Sequence, residues 1–145
     1  MNVRSILEQK GSDVATVGVD DTVAQASAQL RDRGVGALVV TPDGARIVGI
    51  VSERDIVRAV ASHGASALGR SVGSVMTSEV VTCGTADTVE HLMTLMTERR
   101  IRHVPVADAD GRLGGIVSIG DVVNARVREL HLENQALTEY IHQGR

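Results

Sequence analysis

The sequence predicts an α/β (α+β) fold in which two pseudo-symmetric β-α-β-β-α units pack as one module, followed by an extended C-terminal helix. The main observation is an internal repeat. Residues 49–57 (GIVSERDIV) return 66 positions later as residues 115–123 (GIVSIGDVV), with six of the nine positions identical. A unit of this size cannot bury an adequate core alone. The two copies are therefore expected to pack face to face and to form two equivalent clefts at their junction.

Each copy begins with a short extended segment rich in Val and Thr, residues 13–19 in the first and 79–83 in the second. Asp and Thr residues follow, as is typical of a helix start. The next residues place apolar side chains three and four positions apart, which predicts an amphipathic helix. These positions are Val23, Ala26 and Leu30 in the first copy, and Val89, Leu92, Met93 and Met96 in the second. Gly34 is expected to end the first helix.

Two strands joined by a turn follow in each copy, and a second helix starts just after the repeated Ser. The predicted strands are residues 37–40 and 47–51, then 103–106 and 113–117. The predicted second helices are residues 54–61 and a segment from residue 120 onward. The domain prediction is repeat 1 at 1–62, a linker rich in Gly, Ser and Ala at 63–71, repeat 2 at 72–127 and a helical extension at 128–145.

The extension continues an apolar series with heptad spacing, formed by Val123, Val127, Leu130, Asn134, Leu137 and Ile141. An Asn at an a-type position between Leu residues at d-type positions is typical of a helix pair whose register is set by that Asn. Two interpretations stay open: a helix that covers its own domain, or a short seam between two copies of the chain.

Composition excludes several classes of function. Apolar residues make up 43% of the chain, yet it has no Phe or Trp and one Tyr, Tyr140. A formal net charge of −3 and the lack of aromatic rings argue against a nucleic-acid or membrane partner. Cys83 is the single cysteine, so no internal disulfide and no cysteine-based metal site is expected. No secretory signal or membrane span is apparent, which predicts a cytoplasmic protein.

The repeated Gly-h-h-Ser-x-x-Asp stretch (h, apolar) joins a strand to a helix N-terminus, where free backbone N–H groups and the helix dipole favour an anion. Ser52 and Ser118 are thus placed to donate to a phosphate. Asp55 and Asp121, in the first helical turn, are placed to accept hydrogen bonds from the cis-diol of a ribose. Helix capping without a ligand is the alternative explanation, but two instances in register beside basic groups favour a binding site.

The basic groups are the run at residues 99–103 (RRIRH) in the second copy, with Arg102 and His103 as the phosphate candidates, and Arg54 in the first. Arg offers planar, bidentate contacts to phosphate, and His103 adds a donor whose charge varies near neutral pH. Gly36 and Ala37 replace the basic pair in the first copy. The two clefts are therefore expected to differ in how they meet phosphate charge.

The repeated motif, the β-α-β-β-α order, residues 75–77 (VMT) and residues 102–106 (RHVPV) together resemble a tandem pair of cystathionine-β-synthase (CBS) domains, a stand-alone Bateman module. The resemblance extends over residues 3–127. It implies a regulatory fold that binds adenosyl ligands, namely AMP, ADP, ATP, NAD(H) or, less favoured, S-adenosylmethionine, with no metal required. It also implies association into a homodimer.

Carried over residue by residue, the resemblance implies one cleft in which Asp121 holds ribose, Ser118 with Arg102 or His103 holds phosphate, and Thr77 and Val80 flank adenine. It implies a second cleft formed by Asp55, Ser52, Arg54 and Val14. Gly36 departs from the family pattern, so either this second cleft is less well equipped for phosphate or the small residue makes room for a dinucleotide.

The function predicted from the sequence is a ligand-sensing regulatory module, not an enzyme, that binds an adenine nucleotide between its repeats. It would signal through a change in conformation or assembly to another protein. The alternative is a dimerisation platform that binds no ligand.

Overall fold

The repeated motif ends a strand and starts a helix in both halves of the molecule, as predicted. The structure, a computed structural model, describes residues 1–144. Its elements follow in the order α1 (Val3–Lys10), β1 (Thr16–Val17), α2 (Val23–Arg33), β2 (Ala37–Val40), β3 (Gly49–Ser52), α3 (Glu53–His63), η1 (Gly64–Gly69, a 3₁₀ helix), α4 (Val72–Val75), α5 (Val89–Arg99), β4 (His103–Ala107), β5 (Leu113–Ser118) and α6 (Ile119–Gln143).

The first half contains a sheet in which β1 runs parallel to β2, and β2 pairs antiparallel with β3. In the second half β4 pairs antiparallel with β5. The extended segment predicted at residues 79–83 is not a strand. Only Cys83 bridges to β4, where its N–H donates to Pro105 O at 3.0 Å and its carbonyl accepts from Ala107 N at 2.8 Å. The residues before it line a cavity instead of pairing with a strand.

The predicted helix starts are confirmed by their caps. Thr22, Ser52 and Ser118 each accept a side-chain hydrogen bond from the backbone N–H three residues on, and their own backbone N–H donates to the side chain at that third position. These reciprocal pairs satisfy N–H groups that a helix start leaves free. Gly34 ends α2 in the left-handed conformation, with φ 63°. The segment predicted as a linker contains η1, in which Ala67 is fully buried.

Two helices that the sequence analysis missed, α1 and α4, are exchanged between the halves. Val3 and Ile6 of α1 belong to the core of the second half, while Val72 of α4 belongs to the core of the first. Backbone hydrogen bonds also connect each helix to the opposite repeat: Val3 N donates to Asp87 O at 2.9 Å, and Val72 N donates to Asp21 O at 2.7 Å. Each core is therefore completed by the opposite repeat.

The first glycine of each motif allows this exchange. A Cβ on Gly49 would collide with Met76 Sδ and approach Thr77 O within 3.1 Å, and a Cβ on Gly115 would approach Leu7 Cδ2 within 2.8 Å. Met76 directly follows α4, and Leu7 lies within α1. At Gly49 the close atoms include the backbone carbonyl of Thr77, so the crossing segment favours glycine there, whereas at Gly115 only the Leu7 side chain would have to move.

Helix α6 continues far beyond the second repeat. Val122 and Ala125 are its buried residues, whereas the heptad side chains Val127, Leu130 and Leu137 are 59%, 48% and 58% exposed. At 1.5 Å per residue, its 25 residues span roughly 37 Å. Among the helices of residues 1–144, none combines the length and hydropathy needed to cross a membrane.

Candidate functional site

A cavity of about 510 Å³ lies between the two repeats. The first repeat contributes the end of β3 and the first turns of α3; the second contributes residues 77–81 and the connection from α5 to β4. The cavity collects seven of the ten residues predicted to bind a ligand: Ser52, Arg54, Asp55, Thr77, Val80, Arg102 and His103.

Asp55 is held by its own chain on one side and faces the cavity on the other. Its Oδ2 accepts from Ser52 N at 2.9 Å and Ser52 Oγ at 3.1 Å, and its Oδ1 accepts from Thr77 Oγ1 at 3.3 Å. A carboxylate offers about four acceptor positions, so one remains free, and the 3.3 Å contact from Thr77 is the one that a second ligand hydroxyl would replace. The capping explanation is therefore correct for Ser52, whose hydroxyl is already engaged, and it leaves Asp55 able to bind a diol.

Five arginines and three carboxylates line this cavity, an excess of two positive charges in a chain whose formal net charge is −3. The arginines are Arg54, Arg58, Arg99, Arg100 and Arg102, and the carboxylates are Glu53, Asp55 and Glu79. Such a local excess attracts an anionic ligand. Arg58, Arg99 and Arg100 were not among the predicted site residues, although the run of basic residues at 99–103 was the signal for the last two.

Arg100 adopts a left-handed conformation, with φ 54°, where the corresponding residue of the first repeat is Gly34. A non-glycine residue there costs roughly 1–2 kcal/mol. Its carbonyl accepts from Arg54 Nη1 at 3.2 Å, which links the basic groups of the two repeats across the cavity. The chain thus retains a strained arginine on the cavity wall.

The imidazole of His103 lies directly beside Gly36. A Cβ on Gly36 would lie 3.0 Å from His103 Cε1, so the imidazole occupies the space beside this small residue. Burial lowers the pKa of His103, the nearby Glu53 opposes this shift, and Lys10 adds to it. The ring is therefore neutral at pH 7, and a phosphate placed beside it would favour protonation.

The expected grouping of residues into clefts was wrong. Thr77 and Val80 lie with Asp55, not with Asp121, because the exchange of α1 and α4 carries the start of each repeat to the opposite half. Arg102 and His103 also line the cavity of Asp55. Val14 and Ser118 are among the lining residues of neither this cavity nor the smaller one described next.

Asp121 lines a shallower depression of about 410 Å³, together with Lys10, Gln9 and Arg128. Its Oδ2 accepts from Lys10 Nζ at 2.7 Å and from Ser118 N at 2.9 Å. Burial alone would raise the pKa of Asp121, but the hydrogen bonds from Lys10 and Ser118 outweigh it and hold the pKa below its usual value. The carboxylate is therefore ionised and already paired.

Residues 1–144 contain no cluster of three or more potential metal ligands among His, Cys, Asp and Glu. Burial, reinforced by the charge of Asp87, raises the pKa of Cys83 to about 12. Its thiol is therefore protonated at neutral pH and is not a nucleophile. Cys83 packs in the core of the second half as a small apolar residue.

The model of the CBS domain family matches the chain twice, over residues 3–62 and 72–128. The chain belongs to the CBS domain family. It is 43% identical over 129 residues to the CBS domain-containing protein CBSX3, mitochondrial, of Arabidopsis thaliana, covering 86% of this chain and 62% of that relative. The chain thus spans less than two thirds of the length of this CBS relative.

Solved structures of CBS proteins agree with the fold. The CBS-domain containing protein ATU1752 from Agrobacterium tumefaciens superposes with a TM-score of 0.83 at 48% identity, covering 86% of this chain and 92% of that one. The CBS domain protein PAE2072 from Pyrobaculum aerophilum, solved in complex with AMP, superposes with a TM-score of 0.76 at 28% identity, covering 92% and 99%. The predicted tandem pair of CBS repeats with a C-terminal helix is confirmed.

Proposed function

We propose that this CBS pair is a regulatory module that binds a phosphate-bearing adenosine ligand in the cavity lined by Asp55. The observation that carries the proposal is the convergence in one cavity of a carboxylate with one free acceptor position, an apolar wall (Ile50, Val80 and Val81) and an arginine-rich wall. In this arrangement Asp55 holds the ribose, Thr77 and Val80 flank the adenine, and Arg54, Arg102 and His103 hold phosphate. The AMP complex of a CBS relative supports the same class of ligand.

The charge of the cavity favours AMP, ADP, ATP or NAD(H) over S-adenosylmethionine. An excess of positive charge attracts phosphate oxygens, whereas the sulfonium of S-adenosylmethionine carries a positive charge of its own. Because both repeats line the cavity, an occupied site ties them together. The ligand would change the output by binding one arrangement of the repeats, or of two subunits, more tightly than another. Such a module acts on a separate partner protein.

Thermal melts with AMP, ATP, NADH and S-adenosylmethionine test this proposal. A ligand present at 100 to 1,000 times its Kd should raise the free energy of unfolding by roughly 3–4 kcal/mol. The phosphate-bearing compounds are expected to raise the melting temperature, and inorganic phosphate alone is expected to have a smaller effect. No shift with any adenosyl compound would instead favour the alternative function, a dimerisation platform without a ligand.

We also propose that α6 pairs two copies of the chain through the stripe formed by Val127, Leu130, Asn134, Leu137 and Ile141. These side chains are exposed in the single chain and recur at heptad spacing. The substitution Leu137→Asp should shift the chain from dimer to monomer in sedimentation velocity experiments. Leu132→Asp is the matched control, since Leu132 is 57% exposed but lies off the stripe. A monomeric wild-type chain at high micromolar concentration would contradict this proposal.

A further inference from the structure

Lys10 occupies in the second cleft the position that Thr77 occupies in the first. Its Nζ donates to Ile116 O at 2.9 Å and to Asp121 Oδ2 at 2.7 Å. In the first cleft Thr77 makes both contacts itself: its N–H donates to Ile50 O at 2.9 Å, and its hydroxyl donates to Asp55 Oδ1 at 3.3 Å. Ile50 and Asp55 are the repeat counterparts of Ile116 and Asp121. A cationic side chain has therefore replaced a backbone segment and a neutral hydroxyl.

The length of α1 explains how Lys10 reaches this position. Helices α1 and α4 correspond, because Val3 and Val72 donate to the same carbonyl position in opposite repeats. Helix α4 ends at Val75, whereas α1 continues to Lys10. Val3 and Val72 are 69 positions apart, three more than the 66 that separate the repeated motifs, and the additional turn carries the ammonium to the edge of the second cleft.

The contact changes what Asp121 can bind. The ammonium and the Ser118 N–H both bond to its Oδ2, and the side chains of Lys10 and Asp121 are 31% and 21% exposed. A ribose diol entering there would have to displace an ammonium from the carboxylate, and its neutral hydroxyls would not replace the attraction between the two opposite charges. Asp55 has no cation among its hydrogen-bond donors in the described residues.

We propose that Lys10 closes the second cleft, so that the chain binds one adenosine ligand although its repeats provide for two. The proposal rests on the function proposed above for the first cleft. It assigns to Lys10 the control of occupancy: the residue decides how many ligands the module holds, and its loss converts a one-site module into a two-site module.

Isothermal titration calorimetry with AMP tests the proposal on the full chain. Wild type is expected to bind one AMP per chain, and Lys10→Thr, which restores the residue type of the first cleft, is expected to bind two. The additional site should disappear in the Lys10→Thr/Asp121→Ala double variant. Glu8→Thr, an exposed change on the same helix, should leave one site. Lys10→Ala should also gain a site, and it guards against an effect peculiar to threonine.

The outcomes separate this proposal from the one on which it rests. Two sites in wild type, or a single site in both Lys10 variants, would overturn the role of Lys10. If wild type binds no AMP while Lys10→Thr binds one in a manner that depends on Asp121, the role of Lys10 stands and the first cleft is not the AMP site. Failure of AMP to bind any of these chains would overturn both.

Discussion

Replacing Asp55 with alanine is expected to weaken AMP binding roughly 10- to 150-fold, because a hydrogen bond to a charged group contributes about 1.5–3 kcal/mol. The effect should be specific to the ribose. Wild type should prefer AMP over 2′-deoxy-AMP, and the Asp55→Ala variant should bind both with similar affinity. Calorimetric titration of the two ligands into both chains measures this double difference.

Asp55 also accepts a hydrogen bond from the backbone N–H of Ser52, the N-cap residue of α3, so the substitution lowers stability as well. A matched control is Asp21→Ala, because Asp21 accepts from the Gly18 N–H, three residues earlier, at 2.8 Å and is not among the residues that line the cavity. Both variants should lose a similar part of their free energy of unfolding, about 0.5–2 kcal/mol. Only Asp55→Ala should lose AMP affinity. Equal AMP binding by wild type and Asp55→Ala would remove Asp55 from the site.

The substitution Ile6→Ala should lower the free energy of unfolding by roughly 2–5 kcal/mol, the usual cost of truncating a buried Ile. Ile6 is 3% exposed and packs in the core of the second half with Leu92 and Val117. Urea denaturation followed by far-UV circular dichroism measures the loss, and Glu8→Ala on the exposed side of α1 is the control. Only Ile6→Ala removes a buried side chain, so a larger loss of stability in this variant than in Glu8→Ala reports core packing.

Hydrogen exchange on the Ile6→Ala variant locates the effect. Because α1 completes the second core, backbone amides of β4 and β5 should lose protection although they lie about a hundred residues away in sequence. Loss of protection confined to α1 and β1 would show that α1 does not support the second half. A change below 1 kcal/mol in overall stability would contradict the packing described for Ile6.

The internal repeat was sufficient to predict the fold, because the motif carries strand, cap and helix start together. The capping residues Ser52 and Ser118 could be assigned from their spacing to Asp55 and Asp121. The exchange of α1 and α4 could not, since it depends on how the chain crosses between repeats. Helix α4 has four residues, too few to show a helical period. The spacing of Val3, Ile6 and Leu7 was the available signal for α1.

The same exchange explains why the candidate site was only partly predictable. Its ten residues were selected from motifs, and seven of them line one cavity. Their assignment to clefts failed because Thr77 and Val80 belong by sequence to one repeat and by position to the other. The contact of Lys10 with Asp121 could not be predicted from the motifs, because it depends on a turn of helix present in only one copy. The difference between the 69-residue offset of Val3 and Val72 and the 66-residue offset of the motifs was the sequence trace of that turn.

The crossing of α1 and α4 bears on how such a molecule could have arisen. A chain with a single repeat would lack the helix that covers its hydrophobic core. It could complete that core only by exchanging helices with an identical chain. Joining two copies end to end converts that bimolecular trade into an intramolecular one, whose equilibrium no longer depends on concentration. Once joined, the halves can diverge independently, which permits a Lys at one entrance and a Thr at the other.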